Sequence, residues 1–333
     1  MGEATRSGTC RRLDRASPRA HRPVSESRAK ALIAHSFWER NTPAAAREAS
    51  ELADRSGDVD LRSYAWGAQG AVAFGERDFE SALTWSRRRL EVKDEISDPD
   101  HVADIYELAI PSCCANARFS EARRLAAEHD AIVEPLSDHH RLHGIAVLLE
   151  VEEVSGGWNR ILELAERTEA AVEANLTTPC VRNARSLLVT ALAAACAGDN
   201  ETARHYERRA EEVETEGYDL VLAAPRTWLA LLRGEMDEVD RLEPMNLGRI
   251  QHEYALPAAA ARLDALAALK KQSLVEREAP PLMHPRTYLE PFALRALGAV
   301  REDDLLIEQA VDRFAAMGLE WHAEQSRKLL APT

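Results

Sequence analysis

The stretch DHHRLH, Asp138 to His143, holds the residues best suited to chemistry in this chain. On a helix His139 and His143 are four positions apart, so their imidazoles share a face at a separation that can hold one zinc ion, with Asp138 or His140 as further donors. A bound zinc needs at least three protein ligands, and no third is identifiable. The plainer reading is that Asp138 caps a helix and the histidines lie solvated in its first turn.

Other reactive residues offer less. Cys113 and Cys114 are adjacent, about 100° apart on a helix, and suit buried small apolar positions better than a disulfide or a chelate. His252-Glu253 starts a metalloprotease pattern that Leu256 breaks where the second histidine belongs. Trp321-His322 follows Gly318 and reads as an aromatic closure of the core over the last helix. No G-x-x-x-x-G-K-[ST] nucleotide loop occurs. No catalytic residue and no cofactor is therefore expected, and a metal-dependent enzyme using His139 and His143 ranks third among the functional readings.

These residues need a scaffold, and composition says of what kind. The chain has 333 residues, more than one compact core usually organises, which points to two domains or a repeat array. Hydrophobic residues make up 45% and charged residues 29%, with only 15 glycines and 15 prolines, a mixture that favours helices. Few runs alternate at period two, so an all-α fold is expected. A net charge of -14 argues against nucleic acid as the main partner. No apolar run approaches the roughly 20 residues that span a bilayer, so no membrane partner is expected. Five cysteines at 10, 113, 114, 180 and 196, with no metal-ligand spacing and no secretory signal, fit a reducing cytoplasm. The glycosylation patterns at Asn175 and Asn200 carry no meaning there.

Residues 1–26 are rich in arginine, serine and proline and read as a flexible basic tail. Helices follow. Thr42-Pro43 is a helix start and Gly57 a left-handed stop; Gly217 and Gly318 are further stops, each followed by an apolar residue, Tyr218 and Leu319. An offset of three recurs: Phe79 with Ala82, Phe119 with Ala122, Trp158 with Ile161, Asn200 with Ala203, Met236 with Val239. Gly156, Gly198 and Gly234 lie two residues before the first member in three copies, and Arg77 and Ala117 hold that place in the other two. A glycine ends one helix, a bulky residue wedges between that helix and the next, and a small residue one turn later lets them approach. Units of 36 to 42 residues built this way stack into a solenoid, because no single hairpin can bury its apolar face alone. Residues 27–255 are expected to be such repeats, and 256–333 a helical cap of the same array, with Pro257 opening an alanine-rich helix.

WGAQGAVAFGERDFESAL, with Trp66, Gly70, Phe79 and Ala82 in order, and the turn GDNETA, Gly198 to Ala203, resemble the tetratricopeptide repeat family. That resemblance implies a right-handed solenoid of stacked antiparallel helix hairpins. VEREAPPLMHPRTYLEPFALRALGAVRED, from Val275, and AVDRFAAMGLEWHAEQSRKLL, from Ala310, resemble the end of the helical tail on large bacterial ATP-dependent regulators and multidomain adenylate or guanylate cyclases, where the tail is a sensory or partner-binding array. No cyclase core is readable here.

If the first helix of each hairpin lines a concave face, as the tetratricopeptide resemblance implies, that face carries Tyr64, Asp104, Glu107, His143, Glu150, Glu153, Arg185 and Trp228. Four carboxylates with two aromatic anchors would suit a basic or amphipathic peptide, although the same carboxylates also read as a solvated helix face. The leading expectation is a non-enzymatic protein- or peptide-binding scaffold acting as a regulatory or signal-transduction adaptor. The second is a small-molecule-sensing repeat domain of a transcriptional or cyclase-type regulator.

Overall fold

The computed structural model describes residues 18–38, 42–214, 217, 219–242 and 252–330. Among these residues it contains eighteen α-helices and no strand. The first nine are α1 (Pro18–Trp38), α2 (Pro43–Ser56), α3 (Val59–Gly75), α4 (Phe79–Glu91), α5 (Pro99–Ala115), α6 (Phe119–Val133), α7 (Asp138–Ser155), α8 (Trp158–Glu163) and α9 (Ala165–Ala174). The rest are α10 (Val181–Cys196), α11 (Asn200–Val213), α12 (Asp219–Arg233), α13 (Met236–Leu242), α14 (His252–Ala268), α15 (Gln272–Glu278), α16 (Leu289–Arg301), α17 (Asp304–Ala316) and α18 (Glu320–Arg327).

One turn geometry recurs eight times. Arg77, Ala117, Gly156, Gly198, Gly234, Lys270, Glu302 and Gly318 all adopt positive φ, between 53° and 84°. In each case the next residue donates its backbone N–H to the carbonyl five positions earlier, as Asp78 does to Ala73, Asp199 to Ala194 and Leu319 to Phe314, at 2.8–3.0 Å. This bond satisfies a carbonyl that the ending helix leaves free. At Asp78, Asp199 and Asp303 the donor's own side chain then caps the following helix.

Five residues after each left-handed residue stands Ala82, Ala122, Ile161, Ala203, Val239, Val275, Ile307 or Ala323, and none is more than 3% exposed. Each of the five copies read from the sequence thus coincides with a left-handed turn and a buried residue five positions on, and three further turns share that geometry. The wedge expectation needs correction in two copies: Asn200 and Met236 are exposed, whereas Phe79, Phe119 and Trp158 are buried. What the eight copies share is therefore the buried apolar residue, alanine in four and valine or isoleucine in four, and not a bulky wedge.

Four of the eight positions are not glycine, and three of those, Arg77, Lys270 and Glu302, hold exposed long chains in a conformation that costs an L-residue about 1–2 kcal/mol. Arg77→Gly should therefore stabilise the fold by about 0.5–1 kcal/mol after the extra unfolded-state entropy of glycine is subtracted. A urea midpoint that rises at unchanged slope is the expected result; a fall would mean that the arginine side chain contributes more than the backbone strain costs.

Most helices pack on their neighbour in sequence, and a second set of contacts joins α1, α3, α5, α7, α10, α12, α14 and α16, each to the next. This central row is the most buried part. In α10 every residue from Arg182 to Ala194 is buried, so the helix has no solvent face. The row also turns back on itself, since α14 touches α3, α5 and α7 as well as α12 and α16. Tyr288, just ahead of α16, donates its backbone N–H to the carbonyl of Ala115 at the end of α5, which ties the same two regions together.

Several sequence expectations shift at the ends of elements. α1 begins at Pro18, inside the stretch expected to be a tail, while residues 1–17 lie outside the described ones, as does Tyr218. Pro257 lies within α14 and does not open it, because the helix starts at His252 and the proline costs only the bond to the carbonyl four residues back. α14 also runs across the expected boundary between 255 and 256. No helix of the described residues is long and apolar enough to cross a membrane.

Candidate functional site

Polar side chains of the central row meet in two adjoining clusters. In the first, the Tyr64 ring of α3 stacks on the His101 imidazole of α5, with centroids 3.8 Å apart and planes 9° from parallel. His101 Nδ1 lies 3.0 Å from Asp60 and Nε2 3.0 Å from the Ser63 hydroxyl. Burial, then the nearby Arg89 guanidinium, pushes the His101 pKa down. The neutral ring with Nδ1–H donating to Asp60 and Nε2 accepting from Ser63 satisfies both partners. Arg89 of α4 is itself buried, donating to Asp104 at 2.5 Å and to Ser63 at 3.3 Å. Its guanidinium reaches that position because residue 67 is glycine: a Cβ there would stand 3.0 Å from Nη1.

Glu107 of α5 organises the second cluster. Its Oε1 accepts from Arg182 Nη1 at 2.8 Å and from His143 Nδ1 at 3.0 Å, with His129 Nε2 at 3.8 Å. Arg182 also donates through Nε to Glu150 at 3.3 Å. Burial alone would raise the Glu107 carboxyl, but Arg182 and His143 outweigh it and hold it well below the usual carboxylate range. Arg182 Nη1 is also 2.7 Å from His143 Nδ1, two donors that converge on one carboxylate. In the tautomer whose Nδ1–H donates to the Glu107 carboxylate, the His143 Nε2 lone pair is free; in the other, Nδ1 accepts from Arg182. Burial, then Arg182, lowers the His143 pKa and keeps the ring neutral.

On the Nε2 side of His143 lies Cys180, the residue preceding α10, with Sγ 3.7 Å away. The His139 ring packs against His143 at a centroid distance of 4.5 Å, and its Nδ1 is buried without a hydrogen-bond partner. Donor atoms of His139, His143 and Cys180 all lie within 4.8 Å of one another. Burial pushes the Cys180 thiol pKa up. Asp138 and His140 stay outside this group. Ser137, and not Asp138, caps α7; Asp138 pairs with Arg141, and His140 bonds the Ser137 hydroxyl and Asp100.

The eight residues expected on one face divide into two sets. Tyr64, Asp104, Glu107, His143 and Glu150 reach solvent to differing degrees, and the two clusters join them. Glu153, Arg185 and Trp228 do not belong to that face. Glu153 is fully buried and accepts from Arg185 at 2.5 Å, and the Arg185 guanidinium lies 4.6 Å over the Tyr254 ring of α14. Trp228 is buried too, its indole N–H donating to Asp264, which Arg295 grips through two bonds of 2.7 Å. The physical reason is α14: it lies against the inner surface that helix spacing alone would leave open.

Residues that spacing did not single out prove central: Cys180, Arg182, His129, His101 and Arg89. Cys113 and Cys114 are buried as expected, and burial pushes the Cys113 thiol up to about 12. His322 is buried among Phe292, Phe314, Trp228 and Trp321, so the terminal aromatic closure also holds. A cleft of about 250 Å³ elsewhere is lined by Arg77, Arg262 and Arg277, but Glu278 already engages the last two at 2.6 and 2.8 Å. No protein-family model matches this chain, and no curated protein is significantly similar to it.

Proposed function

We propose that this chain is a non-enzymatic protein- or peptide-binding scaffold, a right-handed solenoid of stacked antiparallel hairpins of tetratricopeptide type, serving as a regulatory adaptor. The observation that carries the reading is the turn that recurs at Arg77, Ala117, Gly156, Gly198, Gly234, Lys270, Glu302 and Gly318, each followed at a fixed distance by a buried small or branched residue. Repetition of one supersecondary unit builds extended surface and no deep reaction pocket, which is what protein-binding arrays require.

The binding face is the rim formed by Tyr64, Asp60, Asp104, Glu107 and Glu150. Tyr64 presents a rigid aromatic surface, already ordered by its stack on His101, and the carboxylates around it attract a cationic partner. A cationic amphipathic peptide fits both features. Fluorescence anisotropy with a set of such peptides should find micromolar binders, and Tyr64→Ala/Asp104→Asn should weaken them about tenfold, the loss of one aromatic anchor and one charge. Asparagine retains the acceptor that buried Arg89 needs, so the variant keeps its fold. Equal binding by wild type and variant would move the partner elsewhere; no binding by any peptide would remove the reading.

A further inference from the structure

We propose that His139, His143 and Cys180 bind one zinc-class transition-metal ion, a site that goes beyond the scaffold reading and does not depend on it. The three donors come from two separated segments, the first turns of α7 and the residue preceding α10, and converge with all ligand atoms within 4.8 Å of one another.

Their spacing suits the ion. Zinc bonds of 2.0–2.1 Å to nitrogen and 2.3 Å to sulfur, at a tetrahedral angle, place the N and S donors about 3.5 Å apart. His143 Nε2 and Cys180 Sγ are 3.7 Å apart. The other donor pairs lie within 4.8 Å, so they must close by at most about 1.5 Å to reach this geometry.

The back of His143 is prepared as well. Its Nδ1–H donates to Glu107 at 3.0 Å, which fixes the ring plane and the tautomer and points the Nε2 lone pair at Cys180. A carboxylate behind a metal-bound imidazole is the usual outer support of such ligands, raising their basicity. Arg182 anchors that carboxylate at 2.8 Å and is itself held in place by donating through Nε to Glu150 at 3.3 Å. His139 supplies the independent sign: Nδ1 is buried and has no hydrogen-bond partner. Buried polar atoms are nearly always paired, and a metal ion held through Nδ1 would pair this one.

Two imidazoles and a thiolate select zinc or a similarly soft ion and disfavour magnesium and calcium, which need oxygen donors. Three protein ligands leave the fourth tetrahedral position to water or an incoming group. The partial exposure of His143 gives that position access to solvent. Through Glu107 the ion would also couple α5 to α7 and α10, three consecutive members of the central row.

The test uses the untagged full-length chain, stripped with chelator and titrated with Co²⁺ and then Zn²⁺. One Co²⁺ per chain should bind with tetrahedral visible absorption and a thiolate-to-cobalt charge-transfer band, and Zn²⁺ should displace it. Cys180→Ser should abolish the band, His143→Ala and His139→Ala should weaken binding at least tenfold, and Glu107→Gln should weaken it about tenfold while leaving the band in place. His140→Ala, next to the site but bonded elsewhere, should bind as the wild type does. Circular dichroism of each variant separates loss of the site from loss of the fold. Absence of stoichiometric binding by the folded wild type, or a charge-transfer band that survives Cys180→Ser, would overturn the proposal.

Discussion

Glu153→Ala should destabilise the chain by about 3–5 kcal/mol, enough to abolish folding in many domains. Glu153 is fully buried and Arg185 is 2% exposed, so removing the carboxylate strands a guanidinium that cannot reach water. The pair is imperfect even when intact. Glu153 Oε1 and Arg185 Nε have no hydrogen-bond partner, and burial pushes the Glu153 carboxyl pKa up. Much of the Coulomb attraction therefore only offsets desolvation, and an apolar pair of similar volume loses little. Glu153→Leu/Arg185→Met should be markedly more stable than either single variant and within about 1–2 kcal/mol of the wild type. Urea denaturation of all four proteins checks this. A cost below about 1 kcal/mol for Glu153→Ala would mean that the guanidinium escapes to solvent, against the enclosure of Arg185 under Tyr254.

Acid should act through His129. This α6 residue is fully buried, and burial pushes its pKa down from 6.5 to about 4, with Glu107 and Asp130 opposing the shift and Arg182 and His143 adding to it. The ring is thus neutral when folded and protonated more readily when unfolded. Above about pH 6.5 neither state gains a proton there and the effect vanishes. Below it the unfolded chain binds the proton first, so stability falls as pH drops and the loss levels off below about 4, where the folded state protonates too. A shift of this size corresponds to about 3 kcal/mol at the acid end. The measurement is unfolding free energy of metal-free wild type and His129→Leu between pH 7 and 4, at matched ionic strength. The wild type should lose about 3 kcal/mol more than the variant across that range; parallel curves would show that His129 already finds a proton-accepting route in the folded state.

The sequence carried the local rules well. Gly156, Gly198 and Gly234, with the offset to Ile161, Ala203 and Val239, revealed a turn that the backbone confirms bond for bond, because one stretch of chain holds all of its determinants. The copies at Lys270, Glu302 and Gly318 are not legible from a bulky residue at the helix start, because Gln272, Asp304 and Glu320 stand there. Their buried Val275, Ile307 and Ala323 were the better marker. For the site, the repeat frame and the tetratricopeptide resemblance implied one shared face for Glu107, His143 and Glu150, which the structure does bring together. That frame could not place Cys180, which stands 37 residues from His143 and meets it only through the packing of α7 on α10. Nor could it foresee that α14 covers Glu153 and Arg185, since nothing local in either segment encodes where a helix about seventy to a hundred residues away will come to rest.

The return of α14 to α3, α5 and α7 changes how this molecule comes apart. In a row where every unit meets only its neighbours, terminal units fray independently and can be deleted one at a time, with stability falling in steps. Here helices about 190 positions apart in the chain touch, so damage at one end is felt at the other. Closing so long a loop also delays folding, because its entropy must be lost before those contacts form. Between α3 and α14 the chain therefore behaves less like a string of beads than like a clasped bracelet, while α1 and α2 close with α3 around a core of their own.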